Sequence, residues 1–348
     1  MSLAALQERI RAAAERATPL ELRGGGTKRF FGNAPRGELL DTRSYCGITD
    51  YEPSELVLTA RCGTPLAEIE QALAEQQQCL AFEPPHFGAA ATFGGCIAAG
   101  LAGPRRVAAG ALRDFVLGVK LIDGRARALD FGGRVMKNVA GYDISRLAAG
   151  SLGTLGLIAE ASIKVLPRPR AERTLRMEMD QARALEALNR WAAEPLPISA
   201  SAWHAGMLYV RLSGSEPALA AAVACIGGDE LADASPWWRA LREHTHAFFA
   251  GDEDLWRLSL PSTTPLLALG PQLIEWHGGL RWLRSRGAAE VRAAAERAGG
   301  HATLFRARDK PAGAFASLDP VLLRLHRALK QAFDPAGIFN PGRLHPEL

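Results

Sequence analysis

The sequence predicts an α+β fold with more than one domain, and three observations support this prediction. Short apolar strands alternate with helices through the first half of the chain, which is typical of α/β and α+β domains. The length of 348 residues exceeds what one small hydrophobic core usually organises. The glycine-rich motifs stop at Pro167-Arg168-Pro169, after which alanine-rich helices prevail. This proline pair marks the predicted boundary between a first domain at 1–168 and a second that begins at 169.

Within the first domain, apolar spacing predicts an amphipathic helix at Leu3–Arg16. Thr64 is the predicted N-cap of a second helix, with Pro65 in its first turn, that runs to about Gln77. Asp123-Gly124 predicts the turn of a hairpin. The predicted strands are Leu20–Arg23, Leu39–Asp41, Leu56–Ala60, Ala111–Ile122, Arg127–Phe131 and Glu160–Leu166.

The second domain has a different pattern, in which longer helices flank short strands. Helices are predicted at 181–193 and 285–298, and strands at Leu208–Leu212 and Trp256–Leu260. Helices packed on one antiparallel sheet would fit this order. A last helix is predicted at Leu318–Phe333.

Composition excludes several classes of function. The net charge of +4 is small, and no Lys/Arg run of five or more occurs, so nucleic-acid binding has little support. The N-terminal residues lack a signal-peptide core, and no apolar run approaches the ~18 residues of a membrane span. We therefore expect a cytoplasmic protein with no direct membrane span.

The five cysteines give no ligand motif for a metal. They are Cys46, Cys62, Cys79, Cys96 and Cys225, they are far apart, and they form no Cys-x-x-Cys pair. Small buried thiols are the expected role, and no metal site or iron–sulfur cluster is predicted in this chain.

A strand that runs directly into Gly24-Gly25-Gly26-Thr27 predicts a phosphate-binding nest. Consecutive backbone N–H groups in such a loop form a concave site for an anion. The chain has neither a Gly-x-x-x-x-Gly-Lys-[Ser/Thr] loop nor a Gly-x-Gly-x-x-Gly that opens a helix, so a P-loop and a Rossmann fingerprint are both excluded. The alternative for this segment is a flexible turn.

Two further stretches combine glycines with small side chains. Residues 82–106 contain Gly94, Gly95, Gly100 and Gly103, and residues 137–158 contain Gly141, Gly150, Gly153 and Gly156 with the hydroxyls of Ser151 and Thr154. Because glycine has no Cβ, a flat or extended ligand can approach its backbone closely. The alternatives are a helix–strand packing seam for the first stretch and a loop between strands for the second.

Five motifs in their order resemble one family, the FAD-linked oxidases of the vanillyl-alcohol oxidase / p-cresol methylhydroxylase (PCMH) type. The motifs are Arg23–Thr27, Thr92–Gly95, Gly141–Asp143, Gly150–Gly156 and Asp334–Gly342. Residues 82–88, 102–107, 113–118 and 132–143 are similar to the smaller FAD-binding subunits of bacterial glycolate oxidases. The resemblance implies a two-subdomain FAD-binding PCMH-type domain at 1–168, a smaller α+β cap domain at 169–330, and a tail at 331–348 that returns to the FAD domain.

The resemblance also implies a set of residues that bind noncovalent FAD. Both subdomains would contact the pyrophosphate. The glycine-rich stretch at 137–158 would lie along the adenosine and diphosphate half, and the tail would lie near the far side of the flavin. The implied residues are Gly24, Gly25, Gly26, Thr27, Pro85, His86, Thr92, Gly94, Gly95, Gly141, Tyr142, Gly150, Gly153, Thr154, Ile158, Asn340 and Arg343. No catalytic residue is assigned.

Histidines leave alternatives open. His86 lies in the segment that some family members link covalently to the flavin, and a hydrogen-bonding or structural role is the favoured alternative. The Glu-His-Gly-type motif of the family's 2-hydroxyacid dehydrogenases is absent, and the segment 275–278 has a histidine without the rest of that pattern. His244 and His246 are interpreted as surface residues rather than as a metal pair.

The resemblance implies a subunit of a glycolate oxidase complex. Glycolate would be oxidised to glyoxylate, and electrons would pass to an iron–sulfur partner subunit, while a larger paralogous FAD subunit would hold the substrate site. The complex could lie in the cytoplasm or be peripheral to the inner membrane through partner subunits. The alternatives are a non-catalytic flavin relay or assembly subunit, and a self-sufficient flavin oxidase in which a cap arginine binds the substrate carboxylate.

Overall fold

The computed structural model describes residues 1–133 and 143–348. Within these ranges, helices pack against two large sheets, one of five strands and one of eight, and two short strand pairs complete the pattern. The predicted α+β class is confirmed. No helix of the described ranges is long and apolar enough to cross a membrane.

The first part of the chain runs through five helices and nine strands of the described ranges. Their order is α1 (Leu3–Glu15), β1 (Leu20–Arg23), β2 (Glu38–Asp41), β3 (Ile48–Glu52), β4 (Val57–Arg61), α2 (Leu66–Glu75), β5 (Gln78–Cys79), α3 (Phe93–Ala99), α4 (Arg106–Ala109), β6 (Val116–Ile122), β7 (Ala128–Gly132), α5 (Ile144–Ala148), β8 (Leu157–Lys164) and β9 (Leu166–Pro167).

The strand that leads into the glycine triplet is tied to both ends of the chain. Helix α1 buries Leu6 and Ile10 in the core that β1 and β2 share. Strands β1 and β2 are parallel, and the C-terminal tail lies on the other side of β1, where Leu20 donates to the carbonyl of Ile338 at 2.7 Å. The tail therefore helps to fix the position of the loop that follows β1.

The five-stranded sheet has the order β3-β4-β8-β6-β7, and each of its pairs is antiparallel. The predicted hairpin is present as β6 and β7, where the carboxylate of Asp123 accepts from the backbone N–H groups of Arg125 and Arg127. Helices α2 and α3 cover this sheet and bury Leu66, Ile69 and Phe93 with it.

The predicted N-cap of α2 is wrong. Helix α2 begins at Leu66 and Pro65 precedes it without a side-chain cap bond. The Thr64 hydroxyl instead donates to the Arg61 carbonyl at 2.7 Å and accepts from the Gly47 N–H at 2.9 Å. Thr64 is fully buried, so its hydroxyl serves the turn after β4 rather than the helix.

The second part forms the eight-stranded antiparallel sheet, in the order β13-β10-β12-β11-β15-β16-β14-β17. Its elements are β10 (Ala171–Glu178), α6 (Gln181–Ala192), β11 (Ile198–His204), β12 (Met207–Gly214), α7 (Glu216–Ile226), β13 (Asp229–Glu230), α8 (Ser235–Arg242), β14 (Leu255–Ser259), β15 (Gln272–Glu275), β16 (Leu280–Arg284), α9 (Ala288–Arg297) and β17 (His301–Arg306). The last helix is α10 (Pro320–Phe333). The expected arrangement of helices on one antiparallel sheet is therefore present.

An aromatic core joins the two parts. Phe31, Leu101 and Leu152 of the first part lie in one buried cluster with side chains of the eight-stranded sheet, among them Trp282 and Phe305. The rings of Phe31 and Phe305 are 5.2 Å apart. This packing fixes one face of the large sheet against the loops that surround the glycine-rich segments.

The cysteines are all free thiols. Cys62 and Cys96 are buried, and burial raises the pKa of each to about 12. Cys46 and Cys225 are exposed, so the expectation of buried thiols is wrong for these two.

Candidate functional site

A cleft lies where the loop after β1 meets the N-terminus of α3 and the C-terminal tail. Its first compartment is lined by backbone and side chains of Glu21 to Arg29, Pro35, Thr92, Gly95, Ala98, Ala99, Leu152, Asn340 and Arg343. A second compartment continues from it and is lined by Thr42, Cys62, Gly94, Gly153, Gly156, Leu157 and Ile158. The two compartments share Leu22, Arg23, Gly24, Gly95, Ala98, Leu152 and Asn340. The two form one elongated cleft.

Two glycines allow the walls of the first compartment to meet. A Cβ at Gly24 would lie 2.1 Å from the Thr92 hydroxyl, and a Cβ at Gly25 would lie 1.4 Å from the Ala90 carbonyl oxygen. Real Cβ atoms do not approach other atoms this closely, so no larger residue fits at either position without a backbone shift. Gly26 has φ +72°, a conformation that glycine adopts without strain.

The backbone N–H groups of Gly24, Gly25, Gly26 and Thr27 donate to no partner among the described residues. Native proteins seldom leave backbone donors without a partner, protein or solvent. Because these N–H groups follow one another in a loop that lines the cleft, they form a nest of partial positive charge. The nest suits a phosphate-type anion, so these residues fit the diphosphate of the cofactor that the sequence predicts.

Cations reinforce the anion preference of this compartment. Lys28 and Arg343 both line it, and burial lowers the pKa of Lys28 and brings that of Arg343 to about 10. Arg29 forms a bidentate pair with Glu21 at 2.9 and 3.2 Å, which holds the pKa of that carboxyl below its usual value. Glu21 is thus neutralised locally and does not oppose a bound anion.

The second compartment has an apolar wall, and Asn340 holds its segments together. Gly153 has φ +70°, and a Cβ there would lie 2.8 Å from the Asn340 amide nitrogen. The Asn340 amide donates to the Leu152 carbonyl at 2.6 Å, and its oxygen accepts from the Leu22 N–H at 2.9 Å. Asn340 therefore joins β1, the glycine-rich loop and the tail, and leaves a wall that is apolar at Leu157 and Ile158.

Helix α3 answers the open question about the small residues at 82–106. A Cβ at Gly94 would lie 2.5 Å from the Cβ of Cys62, so Gly94 is a packing-seam residue and its N–H donates to the Cys62 carbonyl. Thr92 is the N-cap of α3 and accepts from the Gly95 N–H. Gly95 and Ala98 face the cleft. Both interpretations of this stretch therefore apply, and Gly94 takes part in the seam and also lines the second compartment.

The structure brings most of the predicted cofactor residues to this cleft but not all of them. Lining residues are Gly24, Gly25, Gly26, Thr27, Thr92, Gly94, Gly95, Gly153, Ile158, Asn340 and Arg343. Gly150 and Thr154 line neither compartment; the Thr154 hydroxyl donates to the Ser151 carbonyl at 2.8 Å. Gly141 and Tyr142 lie outside the described residues.

Pro85 and His86 line neither compartment, although His86 contacts residues of the first compartment. The His86 ring is 3.1 Å from the Glu70 carboxylate. The His86 carbonyl accepts from the Thr27 hydroxyl at 2.7 Å, and its N–H donates to Glu243 at 3.0 Å. The segment thus links the glycine-triplet loop to the second domain.

A smaller cavity lies between this segment and the eight-stranded sheet. Pro85, Phe87 and residues 101–104 line it from one side, and Leu241, Arg242, His244, Arg257, Glu275, Leu280, Trp282 and Phe305 from the other. Arg257 has no carboxylate within ion-pair distance among the described residues, and burial brings its pKa to about 10. An arginine without an acidic partner on an enclosed wall can bind a carboxylate.

Two ionisable groups flank Arg257 in that cavity. Burial raises the pKa of Glu275 to about 7, and its carboxylate accepts from the Trp282 indole at 2.8 Å. Burial also lowers the pKa of His244 well below its usual value, and the ring stacks on Phe249 at 4.0 Å. The interpretation of His244 as a surface residue is therefore wrong, because it packs in the aromatic core between the two parts.

Sequence reasoning missed Lys28, Arg29 and Leu152 in the cleft, and Arg257 and Glu275 in the smaller cavity. Basic residues directly after a glycine triplet would have indicated Lys28 and Arg29. No local signal marks Arg257, because it alternates with apolar neighbours like any strand residue.

Comparisons with family models agree with this site. A model described as an FAD binding domain matches residues 1–132, and one described as the C-terminal domain of FAD linked oxidases matches residues 308–344. The two matched segments are those that meet at the cleft.

The chain is similar to curated proteins along different shares of its length. Glycolate oxidase subunit GlcE of Escherichia coli is 49% identical over 346 residues, which is 99% of this chain and 97% of that protein. Glycolate oxidase subunit GlcD of Bacillus subtilis is 32% identical over 46% of this chain and 34% of its own length. D-lactate dehydrogenase of Archaeoglobus fulgidus is 34% identical over 46% of this chain and 36% of its own length.

Among solved structures, an alkyldihydroxyacetonephosphate synthase superposes with a TM-score of 0.71 at 15% identity, covering 97% of this chain and 74% of that one. At this identity the likeness concerns the fold alone.

Proposed function

Because this chain belongs to the FAD-linked oxidase family, with the glycolate oxidase subunit GlcE as a full-length relative, we propose that it is the FAD-binding subunit of a complex that oxidises glycolate to glyoxylate. It is an FAD-dependent oxidoreductase subunit that acts in 2-hydroxyacid oxidation. The observation that supports binding of FAD by this chain is the nest of free N–H groups at Gly24–Thr27 beside Lys28 and Arg343, and the full-length relative supports the glycolate oxidase complex.

The proposed cofactor residues divide by chemistry. The nest and its two cations bind and orient the diphosphate, while the apolar second compartment excludes water from the remainder of the cofactor. When bound, FAD supplies the acceptor for a hydride from the α-carbon of a 2-hydroxy acid. The full set that we propose is the one given by the resemblance, including Gly141 and Tyr142.

The domain bounds support a two-part assembly. We propose an FAD-binding domain at 1–168, a cap at 169–330 and a tail at 331–348. The pairing of the tail with β1 supports its assignment to the FAD-binding domain. Helix α10 crosses the proposed boundary at 330, and its buried Lys330 contacts the FAD-binding domain.

Partners complete the proposed reaction. Oxidation of glycolate releases two electrons and two protons, and we propose that the electrons pass to an iron–sulfur partner subunit. GlcE is named as a subunit, which supports a complex that also contains a larger paralogous FAD subunit. We place the complex in the cytoplasm, peripheral to the inner membrane where partner subunits attach.

Spectra test this proposal. The purified chain should be yellow, with absorbance of oxidised flavin at one equivalent per chain. Anaerobic glycolate should bleach the assembled complex. A colourless chain that does not take up FAD would contradict the proposal, and so would a complex that glycolate does not bleach.

The smaller cavity favours a second candidate, in which this chain itself binds the 2-hydroxy acid. Arg257 would hold the substrate carboxylate. Glycolate would then bleach the isolated chain as well as the complex.

The variant Arg257→Met tests this second candidate. We expect about a 10- to 100-fold weaker apparent affinity for glycolate in anaerobic titrations, because a charged hydrogen bond is lost. FAD content should not change. Arg292→Met is the matched control. Each arginine lies over a tryptophan ring, Arg257 at 5.3 Å from Trp276 and Arg292 at 5.7 Å from Trp256, but Arg292 does not line the cavity. Unchanged glycolate affinity in Arg257→Met would remove the candidate.

A further inference from the structure

Helix α10 carries an apolar face that the described parts of the chain leave uncovered. The stripe consists of Val321, Leu322, Leu325, Ala328 and Leu329, which lie on one side of the helix at 3.6-residue spacing. Val321, Leu322 and Leu325 are 53%, 45% and 57% exposed. Aliphatic side chains clustered in this way on a soluble surface usually mark an interaction site.

The helix is held in place by its other side. Lys330 is the buried residue of α10, and its ammonium donates to the Thr154 and Phe339 carbonyls at 2.8 Å each and to Asp334 at 2.7 Å. Asp319 caps the first turn by accepting from the N–H groups of Val321 and Leu322. The apolar stripe is therefore presented by an anchored helix.

Two arginines lie along one flank of the apolar stripe. Arg324 and Arg327 are exposed, and neither has a carboxylate within ion-pair distance among the described residues. Between its N-cap and its last residue, the helix contains no acidic residue. The surface thus combines an aliphatic ridge with an uncompensated basic edge.

We infer that this face of α10 is the docking surface for another subunit of the complex, one that presents an apolar groove with an acidic rim. The inference rests on the proposed function, because it requires that the chain work in a multi-subunit complex. The guanidinium groups of the basic edge would pair with carboxylates on the rim of the partner's groove. The leucines of the stripe would fill the apolar groove itself.

Charge argues against a second copy of this chain as the occupant. In a twofold pair of antiparallel helices, equivalent flanks face each other. Arg324 and Arg327 would then lie against the same residues of the other copy. Like charges across an interface disfavour that pairing, whereas an acidic rim is complementary to them.

Magnitudes argue against a membrane surface. An anionic leaflet attracts each nearby basic residue only weakly, so two arginines give little affinity for it. The exposed stripe also lacks the aromatic residues that commonly anchor interfacial helices. A protein groove that encloses the leucines fits the surface better.

The test is assembly of the complex from co-expressed subunits, with the affinity tag on a partner subunit. We expect Leu325→Asp to lower recovery of this chain at least tenfold, and the double variant Arg324→Glu/Arg327→Glu to weaken association as well. Leu266→Asp is the control, because Leu266 is 60% exposed on the cap, away from α10. Flavin absorbance of each purified chain verifies that it is folded.

A photo-crosslinking residue at position 325 identifies the occupant. A crosslink to an acidic segment of a partner subunit is the expected result. A crosslink to a second copy of this chain, flotation with phosphatidylglycerol vesicles that Leu325→Asp abolishes, or normal assembly of Leu325→Asp would each overturn the inference. If the wild-type chain binds no FAD or joins no complex, the proposed function itself fails, which the flavin spectrum and the wild-type assembly show separately.

Discussion

At the scale of single residues, two adjacent glycines serve the site by contact rather than by flexibility. Gly24 and Gly25 have no room for a Cβ because Thr92 and Ala90 lie against them. The close approach brings the loop after β1 to the N-terminus of α3, and this loop with its free N–H groups lines the cleft. Because Gly24 and Gly25 have no Cβ, the loop can approach Thr92 and Ala90 closely enough to form the anion site.

Replacing Gly25 with alanine should damage that site. The added Cβ would lie 1.4 Å from the Ala90 carbonyl oxygen, so the loop must move. We expect a loss of stability of about 1–3 kcal/mol and a marked loss of retained flavin, measured by urea unfolding and by absorbance. Gly287→Ala is the control, because its Cβ would meet only ordinary contacts at 3.4 Å. Full flavin content in Gly25→Ala would contradict the described loop.

Glu275 should make stability depend on pH. Burial raises its folded-state pKa to about 7 from an ordinary value of 4.5, so the unfolded chain loses this proton first. Between pH 4.5 and 7 the group therefore lowers the free energy of unfolding as pH rises. Comparing urea unfolding of wild type and Glu275→Gln from pH 5 to 8 isolates this contribution, because glutamine keeps an acceptor for Trp282. The free energy of unfolding of Glu275→Gln minus that of the wild type should grow with pH. A difference that stays constant would refute the raised pKa of Glu275.

At the scale of elements, the C-terminal end of α10 is fixed by one buried cation. Lys330 closes a network of Thr154, Asp334 and Phe339, and Asp334 also accepts from the N–H groups of Ile338 and Phe339. The network orders the turn that leads into the tail, and the tail places Asn340 and Arg343 in the cleft. A helix far along the chain thereby positions the site.

The variant Lys330→Met should be strongly destabilising. It leaves the buried Asp334 carboxylate without its cation, which typically costs about 3 kcal/mol or more. Arg327→Met, on the exposed side of the same helix, should change the free energy of unfolding by less than about 0.5 kcal/mol. Denaturant unfolding of the isolated chain measures both. Equal stabilities for the two variants would show that the network contributes little.

At the scale of the whole molecule, one carboxylate joins the two parts of the chain. Glu83 lies 2.8 Å from the Arg211 guanidinium of the eight-stranded sheet and 3.3 Å from that of Arg105. Burial alone would raise the pKa of Glu83, but the two arginines hold it below its usual value. Arg105 also pairs with Glu172 on β10. These contacts hold the first part of the chain against the eight-stranded sheet.

Removing this carboxylate should loosen the interface. Glu83→Ala removes the carboxylate that pairs with Arg105 and Arg211. We expect the free energy of unfolding to fall by about 3 kcal/mol. Because the contact lies between the parts, calorimetry should also show the single transition broaden or split. Glu186→Ala, an exposed change on α6, is the control. A single transition at the wild-type temperature would contradict this role of Glu83.

Much of the architecture was predictable from local patterns. The helices at 3–15 and 181–192, the β6–β7 hairpin and the change of character after Pro169 all follow from spacing and turn residues. Thr64 was predicted wrongly because a threonine before a proline and a helix has the same local pattern whether it caps the helix or closes the preceding turn. The glycine triplet was identified, but its basic neighbours Lys28 and Arg29 were not.

The sequence by itself indicated the cofactor class, because five motifs in their order resemble those of the FAD-linked oxidases, and its consecutive glycines predicted an anion-binding nest. It also determined the two-part α+β organisation, through the change in helical and strand periodicity. Only the tertiary structure decided which residues share a cavity. Pro85 is far along the chain from His244 and Arg257, and the three line one cavity because loops of the first part pack on the eight-stranded sheet through an aromatic core. Such contacts depend on long-range packing, and local sequence patterns do not encode which distant segments will meet.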